Sequence, residues 1–243
     1  MNHLPDKNDN ELSIILPVFN ESAALKKVVH EIHAHTQHLG IRTEIIIVND
    51  GSTDGTSAII DQIRISLPDI KLITHQKNVG YGQALRSGIK AAQKEWILLM
   101  DADDQIHIDS LNNVWARRNE CDLLLGYRLK RSDRWYRRIL GKMGNTVSNM
   151  LLKRNLTDIN CGFKIFRRRL IQPLTLCSSG GIIYFEIFYR LFRNDPSLRS
   201  FQFPIRHYPR RLGKSTGASP RVIGKIFIEG LMVLLNLPKG GRA

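Results

Sequence analysis

Trp96-Ile97-Leu98-Leu99-Met100-Asp101-Ala102-Asp103-Asp104-Gln105 sets five consecutive apolar residues directly against a cluster of acids. An apolar run without alternation reads as a strand buried on both faces, as in a mostly parallel sheet. The same grammar recurs upstream. Ser13-Ile-Ile-Leu-Pro17 precedes Asn20 and Glu21, and Glu44-Ile-Ile-Ile-Val48 precedes Asn49-Asp50-Gly-Ser-Thr-Asp54-Gly55. Lys71-Leu-Ile-Thr74 precedes Asn78-Val-Gly80-Tyr-Gly82. Helical patterns near 23–38, 55–65 and 83–94 separate these runs. Strands alternating with helices of that length predict an α/β fold, a mostly parallel central sheet flanked by helices on both faces. The sheet is expected to continue through 122–126 and 162–166. Ligands in such sheets sit at the carboxyl ends of the strands, so four polar loops are delivered to one edge.

The chain has 243 residues, 42% of them hydrophobic and 24% charged, which excludes wholesale disorder and a disulfide-stapled miniprotein. Its net charge of +14 is unevenly spread: residues 1–113 hold 10 basic and 15 acidic side chains, residues 114–243 hold 26 and 7. Two surfaces with different partners are implied, rather than general affinity for nucleic acid. Cys121, Cys161 and Cys177 form no CxxC pair, which fits a reducing compartment. The polar N-terminus lacks the apolar run of a signal peptide, and no stretch reaches the length of a spanning helix. A cytoplasmic protein with at most peripheral membrane contact is expected.

Asp101 and Asp103 alternate onto one side of an extended segment, and with the Gln105 amide they make a hard oxygen site suited to Mg²⁺ or Mn²⁺. A solvated acidic turn or helix cap would use the same residues. Asp50 offers an acceptor for a base or a ribose, while Asp54 or Thr53 equally suits the start of the next helix. Neither GxGxxG nor GxxxxGK[ST] occurs. His30, His33, His35 and His38 read as a solvated helix face, since the spacing is not HExxH and no cysteine accompanies them.

Taken together, Pro17-Val-Phe-Asn20-Glu21, Val48-Asn-Asp50-Gly-Ser-Thr-Asp54-Gly-Thr56, Asn78-Val-Gly80-Tyr-Gly82 and Asp101-Ala-Asp103-Asp104-Gln105 resemble the inverting family 2 glycosyltransferases of the GT-A fold. Gly126-Tyr-Arg128, Asp158-Ile-Asn-Cys161-Gly-Phe-Lys164 and Arg210-Arg-Leu-Gly213-Lys-Ser215 are similar to the polyprenyl-phosphate branch, typified by dolichol-phosphate mannosyltransferase. The resemblance implies a nucleotide diphosphate sugar, of the GDP-mannose or UDP-glucose type. The donor would lie near Pro17, Asn20, Glu21, Asp50, Asp54, Gly80, Gly82 and Asp101, with the metal on Asp101, Asp103 and Gln105. Arg128 with Arg137 or Arg138 would face the acceptor phosphate, and Arg210 and Ser215 would close over the donor. Thr216 stands where the family often has Lys. Asp103, Arg128 and Arg138 are the expected catalytic residues, and Glu186 is either a family carboxylate or a satisfied buried one. A GT-A domain over 1–215 is expected, with its donor half at 12–113, its acceptor half at 114–215 and a C-terminal amphipathic helix and tail at 216–243.

A polyprenyl phosphate acceptor, undecaprenyl or dolichyl, suits the residues on chemical grounds as well. A phosphate monoester is largely dianionic at neutral pH and needs cationic positioning rather than a general base. Residues 128–142 carry seven basic side chains and one acid among Trp135, Tyr136, Ile139 and Leu140. An apolar stripe at helical spacing continues to Leu151, the pattern of a helix lying in an anionic membrane surface or packed on the domain. Val222 to Leu237 reads as an interfacial helix, a dock for a small membrane-spanning partner, or a helix closing the core. Three rival readings follow. Transfer to a glycan or glycolipid hydroxyl would need Glu186 or Asp158 as base. The basic half alone suggests a nucleic-acid-binding protein, which would leave the acidic loops unexplained. A membrane-recruited scaffold would bind the donor without turnover.

Overall fold

The near-continuous apolar run expected at 13–17 forms β1 (Glu11–Val18), whose alternating residues serve two cores. Leu12, Ile14 and Leu16 face one layer of helices and Ile15 faces the other. A computed structural model describes residues 10–129 and 135–210, with the backbone alone at 135–138 and 140. Within it β2 (Arg42–Asn49), β3 (Lys71–Thr74) and β4 (Trp96–Met100) join β1 in parallel, in the order β3-β2-β1-β4.

Beyond β4 lie β5 (Leu123–Arg128), β6 (Phe163–Arg167) and β7 (Ser200–Ile205), in the order β6-β5-β7. β6 runs antiparallel to both β4 and β5, whereas β7 is parallel to β5 at the sheet edge. The sheet is therefore mostly parallel, as expected, with one reversed strand beside β4. β7 has no counterpart in the sequence reading. Its half-buried Ser-Phe-Gln-Phe-Pro-Ile pattern is too short to stand out, and Pro204 is tolerated because the strand is an edge.

Helices α1 (Leu25–His38) and α2 (Thr56–Ser66) cover one face, burying Val28, Ile32, Ile60 and Ile63 against Leu12, Ile14 and Leu16 of β1. The other face is covered by α3 (Tyr81–Ala91), α4 (Trp135–Leu152), the single turn α5 (Arg168–Ile171) and α6 (Ile183–Asn194). There Leu85, Ile89, Phe185 and Phe188 pack with Ile15, Leu99 and Phe166. Fully burying each large apolar side chain contributes about 1.5–3 kcal/mol, so both helix layers are needed to hold the sheet.

α3 begins two residues before the expected 83, because Gly80 (φ 106°) turns the chain directly into it. α4 follows the expected amphipathic pattern and leaves Ile139, Met143, Val147, Met150 and Leu151 exposed. Among the described residues no helix is long and apolar enough to cross a membrane. The 222–237 helix, the tail and the expected boundary at 215 lie outside the described residues.

Candidate active site

Four loops meet at the carboxyl ends of β1 to β4, and most of their polar groups bond one another. Asn20 adopts a left-handed conformation (φ 57°), which asparagine tolerates. Its Oδ1 accepts the Thr53 N–H at 2.8 Å, and its own N–H donates to Ser52 Oγ at 3.0 Å. The Glu21 N–H donates to Thr56 Oγ1 at 3.0 Å. Pro17 is buried in β1 opposite Val48. Asp54 accepts the first helical N–H of α2, from Thr56, at 2.9 Å. Burial tends to raise its pKa, but bonds from Thr56 and Ser22 outweigh that and hold it low.

Asp50 departs from the expectation of a carboxylate open to a base or ribose. It is 3% exposed, with His75 Nδ1 at 2.7 Å and the N–H groups of Val79 and Gly80 donating at 3.0 and 2.9 Å. The 75–80 loop folds back over the end of β2 and takes both of its oxygens. Gly80 and Gly82, expected to line the donor, seat a loop of the chain. A Cβ on Gly80 would come within 2.4 Å of the Ser179 carbonyl oxygen, and the Gly82 N–H donates to that oxygen at 2.8 Å.

That loop is held from below by Glu186, which is fully buried. It accepts the N–H groups of Cys177 and Ser178 at 2.9 and 2.8 Å, the Ser178 hydroxyl at 2.6 Å and Arg190 at 2.8 Å. Burial would raise its carboxyl, and these bonds reverse the direction. Glu186 is thus the satisfied buried carboxylate of the two readings.

Asp101 and Asp103 behave differently. Asp101 accepts the Tyr81 hydroxyl at 2.7 Å, and Tyr81 lies 3.0 Å from the Tyr184 hydroxyl. Burial, then the charge of Asp103, push the Asp101 pKa up to about 7 against the opposing bond from Tyr81. Burial also raises Asp103, which accepts the Gln105 N–H at 3.1 Å. Glu21 is raised too, again by burial, with the charges of Asp103 and Asp54 adding to it. Arg210 reaches across from the chain beyond β7, 2.5 Å from Glu21 and 3.5 Å from Asp103. Its segment is strapped to the acidic loop by the Tyr208 N–H to Gln105 carbonyl bond at 2.9 Å and by the stacking of Tyr208 on His107 at 4.4 Å.

The Gln105 side-chain NH₂ donates to the Tyr208 carbonyl at 3.0 Å and so serves the strap as well. Asp101 and Asp103 bring carboxylate oxygens to this edge, beside the Gln105 amide oxygen that the strap bond does not use. Crowded, half-buried carboxylates of this kind suit a hard divalent cation, whose charge would relieve what desolvation and crowding impose. The donor set therefore fits Mg²⁺ or Mn²⁺. Among the described residues no group of three or more His, Cys, Asp and Glu side chains is gathered to hold a metal without further ligands.

Gly162 explains how Asp101 fits beneath this edge: a Cβ there would lie 1.8 Å from Asp101 Oδ2. Arg128 ends β5 on the other side of β6. Its Nε and Nη2 donate to Asp158 at 2.7 and 2.9 Å, and its charge is close enough to oppose the rise in the Asp101 pKa. The side chains of Arg137 and Arg138, and Ser215 altogether, lie outside the described residues.

Residues 13–175 match the family model described as glycosyl transferase family 2. The chain belongs to glycosyl transferase family 2. Glucosyl-3-phosphoglycerate synthase from Mycobacterium tuberculosis, crystallised with Mn²⁺, UDP and phosphoglyceric acid, is similar with a TM-score of 0.71 and 17% identity, covering 96% of this chain and 81% of that one. The same synthase with Mg²⁺ and UDP gives 0.71 and 17% over 96% and 82%. A further mycobacterial protein gives 0.68 and 16% over 90% and 74%. At these identities the likeness is one of fold, the GT-A arrangement of a seven-stranded sheet and flanking helices. Within this glycosyl transferase, Tyr81, Tyr184 and Lys164 are site-edge residues that sequence reasoning missed. Tyr81 and Lys164 stood in view within the sequence motifs but were given no role, whereas Tyr184 sat within an apolar pattern that read as core.

Proposed function

We propose that this glycosyl transferase moves a hexose, with inversion, from a GDP-mannose- or UDP-glucose-type donor to a polyprenyl phosphate, working peripherally at the cytoplasmic face of a membrane. The observation that carries the reading is one juxtaposition. Arg128 lies within electrostatic reach of Asp101, and α4, which begins seven residues later, exposes Ile139, Met143, Val147, Met150 and Leu151. A phosphorylated acceptor calls for the guanidinium, and an acceptor embedded in lipid calls for the apolar face.

Asp101 and Asp103 would hold Mg²⁺ or Mn²⁺, which when bound neutralises charge on the departing nucleoside diphosphate. Arg128, oriented by Asp158, would draw the acceptor phosphate toward the anomeric carbon. A phosphate oxygen then bonds that carbon as its bond to the diphosphate oxygen breaks. The phosphate monoester is already largely dianionic, so no side chain has to remove a proton. Asp158 is engaged by Arg128 and Glu186 by the 177–178 loop, which disfavours either as the base for a hydroxyl acceptor. A soluble phosphorylated acceptor is a second reading, favoured by the phosphoglyceric acid bound in the similar synthase.

The test incubates labelled nucleotide sugars and Mn²⁺ with three acceptors: polyprenyl phosphate in anionic vesicles, the unphosphorylated polyprenol in the same vesicles, and phosphoglycerate in solution. Transfer to polyprenyl phosphate alone, with an inverted anomeric centre, is expected. Transfer to the alcohol or to phosphoglycerate alone would replace this reading, and a retained configuration would exclude direct displacement.

A further inference from the structure

Lys164 is a charged residue where the pattern of β6 calls for an apolar one. It pairs with Leu99 of β4 and Leu125 of β5, and its position in β6 shares the face of Phe166. It is 1% exposed, and its Nζ donates to the Gly126 carbonyl at 2.6 Å and the Asp158 carbonyl at 2.7 Å. An ammonium buried this deeply is costly, and burial drives its pKa down despite the opposing influence of Cys161 and Asp158. Sheet stability alone would be served as well by methionine.

Its two partners show what the amine does. The β5–β6 pairing stops at Leu125–Lys164, and from Gly126 to Arg128 β5 pairs only with β7. On its other side β6 stays joined to β4 through Met100–Phe163, and the Asp101 N–H donates to the Gly162 carbonyl at 3.2 Å. The β5–β6 ladder thus ends at the mouth of the site, with Gly126 still close beside Phe163, the acid pair on one side and Arg128 on the other. The Lys164 amine ties the two strands together where their ladder ends. It grips β5 two residues before Arg128, and it grips the backbone of Asp158, whose carboxylate receives the guanidinium.

We propose that Lys164 is a positioning residue for the acceptor phosphate, holding the Arg128–Asp158 pair at a set distance from Asp101 and Asp103. The inference rests on the phosphate-acceptor reading above. A hydrogen-bonding cation at this point adjusts the acceptor side and leaves the donor side, built on β1 to β4, unaltered.

Lys164→Met removes both bonds and keeps the stem, and Lys164→Arg restores a cationic donor. For Lys164→Met the acceptor KM is expected to rise about tenfold or more, with donor KM and Mn²⁺–nucleotide affinity within about twofold of wild type. Lys164→Arg should recover part of the loss, and Lys164→Met should add nothing in an Arg128→Met background. Side-chain NMR reads the geometry without turnover: the Arg128 Nε–H should be protected from exchange in wild type and lose that protection in Lys164→Met. Equal losses toward donor and acceptor, an unchanged acceptor KM, or an Arg128 signal unaffected by the substitution would overturn the role. If Lys164→Met fails to fold, Lys164→Gln, which keeps one donor group, carries the same measurements. A wild type that ignores every phosphorylated acceptor while Arg128 protection still depends on Lys164 would sink the acceptor assignment and keep the positional coupling. Independence of Arg128 from Lys164 in an enzyme that does use polyprenyl phosphate would sink the coupling alone.

Discussion

The two sides of the β4–β6 boundary solve opposite electrostatic problems. On the β1–β4 side, burial raises Glu21, Asp101 and Asp103, and the charges of neighbouring acids add to the rise at Glu21 and Asp101. On the β5–β6 side, cations are brought under cover and each is given oxygen partners, Arg128 by Asp158 and Lys164 by two carbonyls. The first side is unfinished without a cation, and the second is arranged to present one. In the transfer proposed above, the diphosphate would leave on one side and the acceptor phosphate attack from the other.

The contrast can be broken most severely at Asp103. Asp103→Ala should lower kcat by about a thousandfold, the scale of losing a group that stabilises transition-state charge. The melting temperature should hold or rise. Near-normal turnover with Mn²⁺ would show that the acid side does not seat the metal.

Next in size is Glu186, which tests whether the donor edge depends on an anchor outside it. Glu186→Gln turns an NH₂ toward the N–H groups of Cys177 and Ser178 and leaves Arg190 without its carboxylate. A loss of about 3 kcal/mol in denaturant unfolding is expected, as for other broken buried ion pairs. A loss within error would mean that Gly80 and Gly82 hold the 178–180 loop unaided.

The smallest effect sharpens the comparison through pH. Folding raises the Asp101 carboxyl from 3.8 to about 7. The folded state therefore binds the proton more tightly, and that stabilisation is complete below about pH 4 and lost as pH rises through 7. Asp101→Asn removes this dependence. Metal-free Asp101→Asn should melt about 5 °C above wild type at pH 8. Calorimetry at pH 4 should find the advantage gone. An advantage of equal size at both pH values would place its origin elsewhere than the charge.

Much of this architecture was open to a reader of the residues. The run at 96–100 became β4 at those bounds, because a strand apolar on both faces has few alternatives to the centre of a sheet, and the run at 71–74 became β3 at its half-buried edge. Asp101 and Asp103 were legible as an acidic pair at the exit of β4. The fates of Asp50, Gly80, Gly82 and Gln105 were not, because each depends on a loop from far along the chain. His75 and Gly80 claim Asp50, Ser179 claims Gly80 and Gly82, and Tyr208 claims Gln105.

Local pattern thus dictated which segments became strands, which edge received the polar loops and which acids stood there. These follow from the period of the backbone and the need to bury apolar surface, both of which are written in short stretches of residues. Which carboxylates stay available and which become staples was settled when β6 reversed beside β4 and the 75–80, 177–180 and 206–210 segments folded over the edge. Hydrogen-bond partners more than a hundred residues apart, such as Gln105 and Tyr208, leave no mark on spacing, since a polar side chain looks the same in sequence whether solvent, a ligand or a distant carbonyl will satisfy it.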